Sequence, residues 1–496
     1  MDLQQVAPRS LEFSDPVKAP MSSIRMVSIK PQTSNSVSNA TESDSIQFKL
    51  PSAGMLNCST MYVKYDLNVT LVNPTSGAGE TAVGAVLDEF APDSSIFSRQ
   101  KVFSSDGTQV VDINNYGTYC SVMNRLTKDR DERSSRGSII NGCGMATDEA
   151  LDKATVLSEQ FNYSHATYAN DGSTDLAVNA LAPRKLEGSA RNQRILTQQG
   201  SVAGTTHTYC HKLQGGILSA EEGHMLPCFA MGSGWGLHLD LKNPAEAFKL
   251  VGANALNVLG GIATVSADAT CSYTVSNISL ECSLSYYDAS VFSKINELLC
   301  DGIKIRHSRI KTQTNSVSST SNNVQLSEHG RSIEKLICGL RNTTNTADAD
   351  KFSNDFLYKP DGTNYIVNFQ ASVGSNVVPS LPVKYGAQSF LELEKCVAGK
   401  NEKNQIGNCM NHDSYFKDND KGNAVSGDAL FGLSFMSHPD AENRKLMSGV
   451  SSSSGSIPLS IQCDFNSGPS STELFTIVES SQVSELLHDG SVIVSR

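Results

Sequence analysis

The sequence predicts an all-β protein built as two β-sandwiches in tandem. Three observations carry this. Many short stretches alternate apolar and polar residues with a period of two. The segments between them are polar and rich in Ser, Thr, Asn and Gly. One amphipathic helix, near residues 289–301, divides the β pattern into two halves. With 496 residues, 39% hydrophobic and 18% charged, the chain is long enough for more than one domain with a sizeable core. The formal net charge of -11 counts against a protein that grips nucleic acid, because phosphate binding needs clustered Lys and Arg, and favours solubility instead.

Residues 1–44 are polar and aperiodic, with prolines at 8, 16, 20 and 31, and read as an extended N-terminal arm. The β pattern starts at residue 45. In "SIQFKL" Ile46, Phe48 and Leu50 alternate. In "TMYVKYDLNVTL" Met61, Val63, Tyr65, Leu67, Val69 and Leu71 face one way and the polar residues the other, which is a half-buried strand. Asp106-Gly107 sits between two strand-like runs as a hairpin turn. A helix is expected from about Asn114 to Leu126, ending in the solvated charge run "TKDRDERSSR". Residues 135–200 read as a long loop with one short helix at Asp148–Ser158. In "WGLHLDL" Trp235, Leu237, Leu239 and Leu241 alternate.

"SYTVSNISLECSLSYY" is a long strand with a change of parity: Tyr273 and Val275 share one face, and Ile278, Leu280, Cys282, Leu284 and Tyr286 take it up out of step. That shift predicts a β-bulge near Asn277. The helix in "DASVFSKINELLCDG" has Asp288 as its N-cap and Gly302 as its stop. After it the strands "GIKIRHSRI" and "RSIEKLICGL" are expected on either side of a polar loop. "NYIVNFQASVG", "PSLPVK", a helix in "YGAQSFLELEKCVAG", "ALFGLSFM", "IPLSIQCDF", "ELFTIV" and "GSVIVSR" complete the pattern. The organisation is thus an arm at 1–44, a first sandwich at 45–288, a connecting helix at 289–302 and a second sandwich at 303–496.

The stretch "GGILSAEEGHMLPCFAMGSGWG" (215–236) holds Glu221, Glu222, His224 and Cys228, which resemble parts of an active or metal site. Its glycines and Pro227 suit tight chain paths at strand ends, so it reads as a strand–turn–strand element. "HTYCH" groups His207, Cys210 and His211; in a strand the two histidines point away from the cysteine, and the reading is surface histidines beside a packed Cys rather than zinc. Asp418 and Asp420 in "KDNDKGN" lack the Gly position and terminal Glu of a calcium loop. No phosphate-binding loop, dinucleotide fingerprint, zincin or nucleophile-elbow motif is present. No catalytic, cofactor-binding or metal residue is therefore assigned.

The 12 cysteines show no paired spacing, and Cys58, Cys282 and Cys463 fall within apolar alternations as small buried hydrophobes. With no signal peptide and no apolar run of about 18 residues, free thiols in a reducing compartment are expected, and no transmembrane segment.

The order of segments resembles that of double jelly-roll major capsid proteins. "APDSSIFSRQKVFSSDGTQVVDINNYGTY" is similar to their first-domain hairpin and helix, and "GGILSAEEGHMLPCFAMGSGWGLHLDLKNPAEAF" to a small-residue turn leading to an "lP" step and strand. "YTVSNISLECSLSYYD" with the helix after it resembles the bridge between the two rolls. "VNFQASVGSNVVPSLPVKYGAQSFLELEKCVAG" and "SGVSSSSGSIPLSIQCDF" with the C-terminal strands match the second roll. The relatives are those of polinton-like viruses, virophages and adintoviruses, within the adenovirus-like and giant DNA virus lineage.

The resemblance spans about residues 45–496. It implies two jelly rolls per chain and pseudo-hexagonal homotrimeric capsomers that tile an icosahedral shell. It also implies contacts with neighbouring capsomers, penton and minor or cement capsid proteins, and with an internal membrane where one exists. The chain would have no cofactor, no enzymatic activity and no sequence-specific nucleic acid partner. Its place would be the virion, assembled in the host cytoplasm or nucleus. Residues 1–44 would lie on the inner face, and loops near 135–200, 310–330 and 400–425 would crown the outer face or line threefold contacts. The competing readings are a tandem β-sandwich lectin or adhesin, against which the missing signal peptide and unpaired cysteines count, and a glycan hydrolase, which no motif supports. The single Trp also argues against aromatic sugar platforms.

Overall fold

The computed structural model describes residues 21–72, 82–129, 206–252, 270–343, 356–397, 406–416, 427–436, 449–452 and 459–495, apart from isolated positions within these stretches, together with Leu196–Thr197. The first half contains β1 (Met21–Ile29), β2 (Ser45–Lys49), β3 (Met55–Val72), β4 (Ala82–Val86), β5 (Phe97–Phe103), β6 (Gln109–Asn114), α1 (Tyr116–Thr127), β7 (Leu196–Thr197), β8 (His207–His211), β9 (Met225–Pro227), β10 (Gly236–Leu241), α2 (Pro244–Ala247), β11 (Lys249–Gly252) and β12 (Thr270–Tyr287). Helix α3 (Ala289–Cys300) leads into the second half: β13 (Ile303–Val317), β14 (Ser321–Leu326), β15 (Ile333–Asn342), β16 (Ile366–Val373), β17 (Asn376–Lys384), α4 (Ala387–Val397), α5 (His412–Tyr415), β18 (Leu430–Ser434), β19 (Leu459–Phe465), β20 (Thr472–Leu486) and β21 (Val492–Ser495).

The strands form one pair of facing sheets in each half, and no named strand pairs across the halves. The first half has β1-β12-β3-β8 opposite β2-β10-β5-β6; the second has β13-β20-β15-β18 opposite β14-β19-β16-β17. Setting aside the inserted strands, both halves have one order: first-eighth-third-sixth in one sheet, second-seventh-fourth-fifth in the other. All these pairings are antiparallel. This is the jelly roll, two Greek keys closed into a two-sheet sandwich, and the chain makes it twice.

Period-two patterning sets the faces. Met61, Val63, Tyr65, Leu67 and Val69 of β3 are buried against Ile46 and Phe48 of β2 and Leu237, Leu239 and Leu241 of β10. Each such side chain withdrawn from water stabilises the fold by about 1.5–3 kcal/mol. The bulge in β12 lies where the change of parity puts it: the register with β3 shifts between Ser276 and Ser279, and Asn277 takes φ 51°. Extra strands β4, β7 and β11 pair with one another as a small third sheet. They leave and re-enter the sandwich at one end, where Val72 of β3 pairs with Thr270 of β12 and β8 begins at His207.

Three expectations are corrected. Residues 21–29 are not arm but β1, the first strand of the first roll, so the roll starts well before residue 45. The sequence hides it because only Val27 and Ile29 turn to the core, while Ile24 and Met26 face solvent. The polar segment placed near 310–330 is not a loop but the end of β13, a tight turn and β14; β13 pairs with β20 along its whole length, and its Thr, Ser and Asn residues occupy a half-exposed face. Finally, Ile217 and Leu218 are not in a strand: residues 215–223 are turns, and only Met225–Pro227 adds to a sheet edge beside β3. Residues 1–20, the helix expected at 148–158, Asp418 and Asp420 lie outside the described residues, as do most of 135–200 and 400–425.

Candidate functional site

The stretch that most resembles chemistry lies on the seam between the two rolls. Glu222 Oε2 is 2.8 Å from His224 Nε2, and Glu222 Oε1 accepts from the Ser308 backbone N–H at 2.9 Å and the Ser308 hydroxyl at 2.6 Å. Ser308 belongs to β13, so this carboxylate ties a turn of the first roll to the first strand of the second. Gly216 N–H also donates to Ser308 Oγ at 3.1 Å. A serine nucleophile needs a base to take its proton. Here the order is Ser–Glu–His, with the carboxylate in the middle and the hydroxyl serving it. The Glu221 backbone N–H donates to Ser219 Oγ at 3.3 Å within the turn. Cys228 sits buried beside Cys58 and Cys282, and burial pushes these thiols up, the Cys228 thiol to about 12, away from reactivity.

The turn has the shape its glycines allow. Gly215 and Gly216 have φ 71° and 74°, and a Cβ on Gly216 would lie 2.7 Å from Val111 Cγ2. That close approach lets Ile113 of β6 meet Ile310 of β13 across Gly215.

The "HTYCH" expectation needs correction. His211 is no surface group: its Nδ1 donates to Asp93 Oδ2 at 2.8 Å and its Nε2 accepts from the Tyr116 hydroxyl at 2.9 Å. Tyr116 in turn accepts from the Gln214 N–H at 2.9 Å. The order acid–imidazole–hydroxyl is that of a hydrolase triad, but all three side chains are buried, and burial pushes the Tyr116 phenol well up. A buried relay of this kind satisfies polar groups and fixes α1 on β8. His207 is half-buried and Cys210 points to the opposite face.

Sequence reading misses a fully buried seam contact. Arg125 of α1 is fully buried; its Nη1 donates to Gly427 O at 2.8 Å and Asp428 Oδ1 at 2.9 Å, and its Nη2 lies 3.9 Å from Asp88 Oδ2. The guanidinium sits 4.3 Å over the Phe90 ring. Asp88 itself accepts from the N–H groups of Phe90 and Ala91 at 2.8 Å each. Partners 302 residues apart cannot be seen in a local pattern. Elsewhere along the seam Lys311 lies 3.7 Å from Asp112, Thr312 Oγ1 donates to Asn114 O at 2.9 Å, and Ser105 Oγ donates to Gly490 O at 3.1 Å.

The tyrosines at one end of the second roll stack on one another, Tyr385 on Tyr358 at 4.9 Å and on Tyr415 at 5.0 Å. Ten described cysteines are free, and among the described residues no group of three or more His, Cys, Asp or Glu could hold a metal ion. No helix among them is long and apolar enough to cross a membrane. What the seam does is join two like sandwiches through polar and apolar contacts.

No protein-family model matches the chain, and no curated protein is similar to it in sequence. Solved structures are. A chain of the PBCV-1 virus capsid matches over 98% of this chain and 99% of its own, at 10% identity and a TM-score of 0.53. The Faustovirus major capsid protein matches over 96% and 92%, at 11% identity and 0.56. A chain of the Sputnik virophage matches over 100% and 93%, at 14% identity and 0.56. The fold is the double jelly roll of viral major capsid proteins. The match runs through both rolls and the helix between them, so the tandem arrangement is shared along with the sandwich.

Proposed function

We propose that this chain is the major capsid protein of a DNA virus, a structural subunit without catalytic activity that forms pseudo-hexagonal homotrimeric capsomers. One observation carries the reading: the chain builds the same eight-strand sandwich twice, side by side, so that three copies supply six like blocks around one axis. The full-length likeness to capsid chains supports it.

In this reading the rolls are the two blocks and 289–302 links them. Neighbouring capsomers, penton and minor or cement proteins are the partners, the virion is the location, and neither a cofactor nor sequence-specific nucleic acid is needed.

Mass measurement of the purified chain tests this. The expected result is a stable particle of about 160 kDa, three times the 53.2 kDa chain, with a hexagonal outline in electron micrographs. A stable monomer that binds glycans overturns it.

A further inference from the structure

The seam within one chain is made by two particular sheet edges. β6 is the fifth strand of the first roll and the edge of its sheet; β13 is the first strand of the second roll and the edge of its sheet. They meet through Ile113 and Ile310, Lys311 and Asp112, and Thr312 and Asn114. Because both rolls have the same strand order, each has its own first-strand edge and its own fifth-strand edge. One of each is used up in the seam. The two left over are β1, first strand of the first roll, and β17, fifth strand of the second.

These leftover edges carry apolar side chains in water. On β1, Met26 is 84% exposed and Ile24 57%. On β17, Leu381 is 76% exposed and Val377 49%, with Leu391 of the adjoining helix at 58%. Leu381 stands on a rigid projection. The register of β17 with β16 jumps from Val378 to Val383, so Pro379-Ser380-Leu381-Pro382 bulges from the edge, held by Gln370 Nε2 donating to Pro379 O at 2.7 Å. Two prolines stiffen the bulge, and the stacked Tyr385 anchors the strand's far end. An edge that is preorganised and apolar loses little entropy on docking.

We propose that the β17 edge of one copy docks on the β1 edge of the next copy, repeating between chains the seam that β6 and β13 make within one. The two surfaces differ, so the contact is heterologous, and three successive contacts close a ring. Leu381 and Val377 then pack on Ile24 and Met26, much as Ile113 packs towards Ile310. This inference rests on the trimer reading and adds to it which surfaces meet.

The test begins with the dissociation of the wild-type particle on dilution, monitored by mass photometry. A monomeric wild type overturns the trimer reading and this inference with it. Given a trimeric wild type, Leu381→Asp and Met26→Asp should each raise the concentration at which it dissociates by roughly tenfold or more. Leu381→Ser and Met26→Ser are the milder pair should an aspartate variant fail to accumulate. Independently, Met26→Cys combined with Leu381→Cys, in a Cys300→Ser background, should give cross-linked dimers and trimers with a short bis-maleimide, and neither single cysteine should. A trimeric wild type whose four single variants dissociate at unchanged concentration, with no cross-link from the paired cysteines, overturns the proposed contact while the trimer stands.

Discussion

Helices α1 and α4 occupy the same place in their respective rolls, directly after the fifth strand, yet their surroundings differ. In α1, eleven residues from Tyr116 to Leu126 are buried, and its one arginine is locked between two aspartates. In α4 only Ser389, Leu393, Cys396 and Val397 are buried, Leu391 faces water, and its ion pair, Lys395 to Glu392 at 2.6 Å, is a surface one. The two rolls share one strand order, and it is the second that lies against the first at α1. α1 is covered by the second roll, through Arg125 and its partners Gly427 and Asp428, whereas among the described residues Leu391 of α4 stays in water. Burial here reports the neighbour as much as the local sequence.

That contrast can be broken at several strengths. The largest effect is expected from Arg125→Met, which leaves Asp88 and Asp428 buried without their cation and should cost about 3–5 kcal/mol in denaturant-induced unfolding. Next comes Gly216→Ala, where the new methyl group meets Val111 at a backbone φ of 74°; a loss of about 1–3 kcal/mol is expected, from both crowding and strain.

His307 gives the seam a pH dependence. It is buried on β13; its Nδ1 is 3.2 Å from the Ser308 carbonyl, which can only accept, so Nε2 accepts from Ser484 Oγ at 2.9 Å. Burial holds its pKa below the ordinary value, although Glu222 opposes this and His224 adds to it. The unfolded chain therefore takes up the proton first. Stability is complete above about pH 6.5 and falls by about 1.4 kcal/mol per unit as pH drops towards the folded-state value. Unfolding midpoints measured from pH 7.5 to 5 should show this slope, and His307→Gln should flatten it. The smallest effect belongs to the open side: Lys395→Ala on α4 should change stability by no more than about 0.5 kcal/mol. A loss as large as that of Arg125→Met would mean that α4 is not open in the free chain.

The parts of the fold that obey a local rule are legible in the sequence. Alternation in β3, β10 and β19 places their core residues correctly, and the parity change at Asn277 locates the bulge. The helices expected from 114 and 289 lie within two residues of α1 and α3. The rest is set by contacts between residues far apart in the chain. β1 has a weak pattern because only one of its faces meets the core, and its partner in β12 is more than 250 residues away. His211 reads as a surface group in the sequence because its partners, Asp93 and Tyr116, come from other segments. The seam has partial signals, the glycine pair at 215–216 and the polar Glu222–His224 turn, but their purpose depends on Ser308 in the other half.

The pairing of first with eighth strand also sets a timetable for synthesis. β1 leaves the ribosome long before β12 and waits for it, so the first sandwich cannot close until residue 287 has been made. The second closes only when β20 joins β13, once residue 486 has been made. Long waits between partners slow folding and leave strand edges unsatisfied in nascent chains. The finished first roll is then a ready surface on which β13 can settle while the rest of its own roll is still being translated, so the growing chain is templated by its own earlier half.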